Sequence, residues 1–205
     1  MIKHIKTFTL LFVLLGIFFA LWVWAADDFE ELRKSAQNIK TLSADFIQEK
    51  HLKILAKPII SKGRLYFKAP RSIRWEYLAP MKSLTLMTKG GAQVYIWSEG
   101  KWVLDKTPND ARGIVMDEIS NWFTGRFHEN PAFTHTYKPG PPPSVILTPK
   151  EGVKNFISQI ALRFSKTTGL VETVEIIETQ DNRTRVTFKN EALNADLHEN
   201  LFEKP

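Results

Sequence analysis

Ser72-Ile-Arg-Trp-Glu-Tyr77 alternates without exception, setting Ile73, Trp75 and Tyr77 against Ser72, Arg74 and Glu76. A strict period of two over that length is a β-strand with one apolar and one wet face. The strand is bracketed by Ala69-Pro70-Arg71 before it and Pro80 after it, because proline cannot donate to a ladder. Upstream, Gly63-Arg-Leu-Tyr-Phe-Lys68 repeats the pattern with Leu65 and Phe67 on one face. Downstream, Ser83–Thr88 carries Leu84 and Leu86, and strands follow at 93–97 and 101–104, with Gly90-Gly91 and Glu99-Gly100 as turns.

The same reading extends to both ends of the chain. Residues 42–52 read as a strand carrying Phe46, and 144–148, 157–165, 171–178 and 183–189 as strands joined by turns at Lys166-Thr-Thr-Gly169 and Gln180-Asp-Asn182. Two stretches change period. Phe29, Leu32, Ala36 and Ile39 fall at helical spacing, with Asp27 or Asp28 placed to cap the helix. Residues 114–123 carry Val115, Ile119, Trp122 and Phe123 on one side and Asp117, Glu118 and Asn121 on the other, stopped by Gly125. Pro139-Gly-Pro-Pro-Pro143 reads as an exposed connection. About ten strands and two helical segments predict an α+β fold, in which one long antiparallel sheet curls into an unclosed half β-barrel with helices against its concave face.

The first residues carry an address. Lys3, His4 and Lys6 precede an apolar run from Phe8 to Ala26, and Ala25 with Val23 offers the small residues a signal peptidase needs. Residues 1–25 therefore read as a signal peptide and 26–205 as one domain; an uncleaved membrane anchor is the alternative, since the run is long enough to span a bilayer. Loss of Lys3 and Lys6 lowers the formal charge from +6 to +4. There is no cysteine, so neither disulfide staples, thiolate metal sites nor acylation of an N-terminal cysteine are available.

Catalytic chemistry has little to stand on. The five histidines, His4, His51, His128, His135 and His198, form no HExxH or HxH set, and the 128/135 pair alone is a loose metal candidate beside the plainer reading of solvated loop side chains. No GxSxG elbow or GxxxxGK[ST] loop occurs. Asp117 and Glu118 are adjacent on a helix and point apart, while Glu76 lies on a wet strand face. The chain reads as non-enzymatic, without metal or cofactor. Six tryptophans on a basic chain would suit nucleic acid, yet no Lys/Arg run stands out and the aromatics share faces with Leu and Ile.

What stands out is apolar surface: Leu65, Phe67, Ile73, Trp75, Tyr77, Leu84, Leu86, Val94 and Ile96 are assigned to one face of neighbouring strands, with the 114–123 helix to cover them. Periodicity does not separate a filled core from a cavity.

Leu42-Ser-Ala-Asp-Phe46-Ile-Gln48, then Gly63 to Pro70, Arg74-Trp-Glu-Tyr77 and Pro80, with the strand 184–190 and tail 194–202, together resemble the LolA family of periplasmic lipoprotein carriers. The resemblance implies a hydrophobic cavity for the acyl chains of lipidated proteins and a place in Gram-negative outer-membrane biogenesis. It also implies two partners, an inner-membrane ABC transporter that loads cargo and an outer-membrane lipoprotein receptor that accepts it. On it, Phe46, Leu65, Phe67, Ile73, Trp75, Tyr77, Leu84, Leu86 and Ile96 would line the cavity of a monomeric carrier. Val115, Ile119, Trp122 and Phe123 would form its lid. The family's latch arginine has no counterpart, since Ala69 occupies that position, and Arg64 or Arg71 is the candidate to replace it. The departure leaves room for a divergent carrier of another lipid, or for a lipid or envelope-stress sensor.

Overall fold

The computed structural model describes residues 29–107, 110–165, 168–179 and 182–205. Residues 1–25, which the sequence reading assigns to a signal peptide, Asp27, Asp28, parts of the turns at 166–169 and 180–182, and the side chain of Val115 lie outside the described residues. A helix, α1, includes residues 29–37. Six strands follow in a meander: β1 Thr41–His51, β2 Ile59–Lys68, β3 Ser72–Ala79, β4 Ser83–Thr88, β5 Gly91–Ser98 and β6 Lys101–Leu104. Helix α2, Asp110–Phe123, leads into β7 Phe133–Lys138, β8 Ser144–Pro149, β9 Gln159–Phe164, β10 Val171–Thr179 and β11 Asn182–Leu193, and a 3-10 turn at Glu199–Phe202 ends the chain.

All eleven strands form one antiparallel sheet in the order β6-β5-β4-β3-β2-β1-β11-β10-β9-β8-β7. Two meanders are sewn together by the pairing of β1 with β11, where Phe46 stands opposite Phe188. Asn194 secures that seam: its Oδ1 accepts from Lys40 N at 2.7 Å, and its own N–H reaches Thr41 O at 2.8 Å. β6 and β7 do not pair with each other, so the curved sheet remains an unclosed half-barrel with both helices on its concave side.

The helices divide the concave face. Leu32, Ala36 and Ile39 bury the apolar side of α1, and Phe29 packs on Phe127 and Tyr137 at ring distances of 5.7 and 5.2 Å, on the β7–β10 side. Gly125 ends the α2 region at φ +67°, and a Cβ there would stand 2.5 Å from Arg33 O, so only glycine lets this turn close against α1. Phe123 and Phe188, 5.9 Å apart, join the two halves into one core.

Three differences from the sequence reading have physical causes. β7 was not anticipated; it is an edge strand whose middle, Thr134, His135 and Thr136, is exposed, so it lacks an apolar signal. β2 begins at Ile59 rather than Gly63, since the glycine lies inside the strand. Glu118, assigned to the wet side of its helix, is fully buried.

Candidate functional site

Antiparallel partners that stand directly opposite share a face, so register turns the strand patterns into rows. Leu65, Trp75, Thr85 and Val94 form one row on the concave face; Phe67, Ile73, Met87 and Ala92 form the next; Gly63, Tyr77, Ser83 and Ile96 form the row on the other side. Phe46 stands opposite Gly63 and Gln48 opposite Ser61, extending the third row and a fourth across β1.

The first two rows are closed over β2 to β4, while Val94 is half-buried and Ala92 exposed at their β5 end. Leu65, Phe67 and Ile73 have 0 % exposure, and Ile119, Trp122 and Phe123 of α2 are buried with them. Phe67 meets Phe123 at 5.5 Å, and Trp75 lies between Phe46 at 4.5 Å and Phe188 at 6.0 Å. The indole N–H of Trp75 is buried with no acceptor among the described residues. The F-x-Q segment and the tryptophan strand, far apart in sequence, meet here: Tyr77 packs edge-on to Phe46 at 5.2 Å and its hydroxyl donates to Gln48 Oε1 at 2.8 Å.

The third and fourth rows are open. A groove of about 780 Å³ runs along them past Gln48, Ser61, Tyr77 and Ile96, with Met81, Lys82 and Trp97 at its mouth. The Lys82 ammonium stands 5.4 Å from the centre of the Trp97 ring. The lining is mostly apolar, with a few polar groups fixed among it, the usual composition of a small-molecule pocket. Of the residues assigned to a cavity, Tyr77 and Ile96 line this groove, while Phe46, Leu65, Phe67, Ile73 and Trp75 lie in the closed core beside it.

Leu84 and Leu86 require a correction. They stand opposite Glu76 and Arg74, on the convex face, and not beside Trp75. The C-terminal 3-10 turn covers β3 and β4 there, bringing buried Phe202. Arg74 holds it by donating to Leu201 O at 3.2 Å and Lys204 O at 3.0 Å. β4 is thus buried on both faces, and its leucines serve a second, smaller core.

The attachment of α2 to the sheet uses Arg71, one of the two latch candidates, with Asp117 and with Ser120, which the sequence reading did not single out. Ser120 Oγ donates to Pro70 O at 2.8 Å, and Arg71 Nε donates to Asp117 Oδ1 at 3.2 Å. Asp117 and Ser120, three residues apart on the helix, share a side that faces the β2–β3 turn. Arg64 is not part of this: it points from the convex face and pairs with Asp45 at 3.5 Å. Next to Asp117 in sequence, Glu118 accepts from Trp122 Nε1 at 3.2 Å, Asn121 Nδ2 at 3.4 Å and Asn130 Nδ2. Burial pushes its carboxyl above the usual range; the three donors oppose that shift, and the Asp117 charge adds to it.

The rings of His128 and His135 lie 5.8 Å apart, and His135 stacks on Phe29 at 5.9 Å. Burial, then the His128 charge, lowers the His135 pKa. No group of three metal-capable side chains occurs among the described residues.

An unclosed antiparallel half-barrel, helices on its hollow side and an apolar groove open at one end, defines a binding or carrier scaffold. Residues 37–204 match the family model described as outer membrane lipoprotein carrier protein LolA, and the chain belongs to that family. An uncharacterized conserved protein from Thermus thermophilus shares the fold with a TM-score of 0.52 at 10% identity, over 88% of this chain and 93% of that one. A DUF1329 family protein from Desulfovibrio piger aligns at 0.49 and 11% identity, over 85% and 94% of the two chains. A LolA superfamily protein from Nitrosomonas europaea aligns at 0.42 and 8% identity, over 84% and 96%. Among curated proteins, none matches the sequence.

Proposed function

We propose that the chain, residues 26–205, is a periplasmic carrier that takes acyl chains of lipidated proteins into the groove and moves them from the inner to the outer membrane. The observation that carries this reading is the continuity of the open groove with the closed core: Tyr77 lines the groove and its ring rests on Phe46, which rests on Trp75. α2 closes that core, and the polar ties described above fasten it to the β2–β3 turn. When α2 swings away, the groove deepens over Trp75, Phe67 and Ile73. The unsatisfied Trp75 N–H then offers a donor to an acyl carbonyl. Ile119, Trp122 and Phe123 act as the lid.

The energetics suit a carrier. Exposing one chain of about sixteen carbons to water costs on the order of 12 kcal/mol at roughly 0.8 kcal/mol per CH₂. A guest that displaces α2 recovers most of that but gives up the lid's own apolar contacts, which are regained on release. Binding is therefore strong enough to cross water and weak enough to hand over.

In this reading the protein is a monomer without catalytic activity, cofactor or nucleic-acid partner. It is loaded by an inner-membrane ABC transporter and unloaded by an outer-membrane lipoprotein receptor. A second reading, carriage or sensing of another lipid, is favoured by Ala69 in place of the latch arginine and by the use of Ser120 and Arg71 instead. Native mass spectrometry of protein purified from the periplasm tests both: co-purified acylated protein supports the first, a free lipid the second, and protein without any acyl ligand argues against carriage.

A further inference from the structure

Among the described residues, the strand order brings four connections to one end of the half-barrel: 52–58, 80–82, 99–100 and 150–158. Three of them carry an apolar side chain in solvent: Ile54 is 87 % exposed, Met81 79 % and Phe156 56 %. Each has exposed lysine within three residues, namely Lys57, Lys82 and Lys154. Lys101 and Lys150 add to the same end; Glu99 and Glu151 lie in its described connections, Glu151 taken up by Lys154 at 3.5 Å, while Glu49 and Glu178 on the adjoining strand ends pair with His51 at 3.5 Å and Lys50 at 3.3 Å. At the opposite end, the turns 69–71, 89–90 and 139–143 expose no large apolar side chain.

We propose that this end is a docking surface for an anionic lipid bilayer. The exposed apolar side chains of this end, Leu55 beside Ile54 included, are spread over three loops, and each loop sets an ammonium group close to them, a charge that anionic lipid complements. That arrangement suits the bilayer interface, where isolated side chains enter the acyl boundary while lysines meet lipid phosphates. Met81 and Lys82 also edge the groove, so docking would turn its mouth toward the lipid. The surface stands on loop exposure and charge, independently of what the groove carries.

The absence of cysteine makes the test direct. Ile54→Cys, Phe156→Cys and Lys89→Cys in the full chain, each labelled with a polarity-sensitive fluorophore, are mixed with phosphatidylethanolamine/phosphatidylglycerol vesicles and with phosphatidylcholine vesicles. Neither Ile54 nor Phe156 lines the groove, and Lys89 lies at the opposite end. The expected result is a blue shift at positions 54 and 156, not at 89, with roughly tenfold weaker binding to the neutral vesicles or after Lys57→Gln/Lys154→Gln. No shift at 54 and 156, or an equal shift at 89, overturns the proposal. A soluble acylated peptide added without vesicles reads groove filling separately, so failure of one reading is distinguishable from failure of the other.

Discussion

The ring of Phe46 lies directly on the backbone of Gly63, its partner across the β1–β2 ladder. A Cβ on Gly63 would stand 2.3 Å from Phe46 Cζ and 2.1 Å from the carbonyl oxygen of Glu76. Glycine inside a strand marks such a close approach, and here it lets Phe46 reach both Trp75 and Tyr77.

Gly63→Ala is therefore expected to cost about 3 kcal/mol, at the upper end of overpacking substitutions. Urea denaturation measures it. Adding Phe46→Leu should restore only part of the loss, since the conflict with Glu76 O is with backbone; full recovery would locate the whole strain in the ring.

Ser120→Ala removes the bond to Pro70 O and should lower stability by about 1 kcal/mol while raising uptake of an apolar dye or acylated peptide. Arg71→Ala should do less in both assays, because its pair with Asp117 is about half exposed on each side and worth only about 0–1 kcal/mol. An unchanged dye signal in Ser120→Ala would mean that this bond does not hold the helix down.

Two substitutions separate groove from core. Ile96→Glu, at a half-exposed position in the groove, should weaken acyl-peptide binding with stability within about 0.5 kcal/mol of the parent. Trp75→Glu places a charge in the closed core and should unfold the protein or cost several kcal/mol. Equal effects of both on folding would argue against an open groove at Ile96.

Glu118 sets a pH dependence. Its folded-state pKa is raised above the ordinary 4.5, so the native protein holds a proton that the unfolded chain releases first. Its contribution is fully present below about pH 4.5 and is lost as pH rises through the folded-state value. Glu118→Gln, which does not titrate, should lessen the fall in Tm from that pH toward neutrality. Parallel Tm profiles for the two proteins would remove Glu118 as the source.

How far the sequence reached varies by element. The strand containing Trp75 announced itself because one of its faces is wet, and the α2 stripe of Ile119, Trp122 and Phe123 because its apolar spacing is helical. The Phe46–Gln48 segment and the tryptophan strand could be placed in order along the chain, but their meeting through Tyr77 and Gln48 depends on two ladders at once. Ser120 carries no signal in the sequence, and Asp117 reads there only as part of a polar helix side, since a serine and an aspartate on a helix are ordinary surface residues until the turn at Pro70 and Arg71 is folded against them.

Local alternation thus determined strand from helix, the long antiparallel sheet and the apolar stock from which a core could be made. It did not determine which side of the sheet each strand's apolar residues occupy. Alternation relates residues within a strand, while the matching of faces between strands is set by register, and a shift of one residue reverses it. Leu84 and Leu86 lie behind Trp75 for that reason alone. The division of the concave face into a closed core and an open groove was likewise left to tertiary structure, because it depends on how far along the sheet α2 extends.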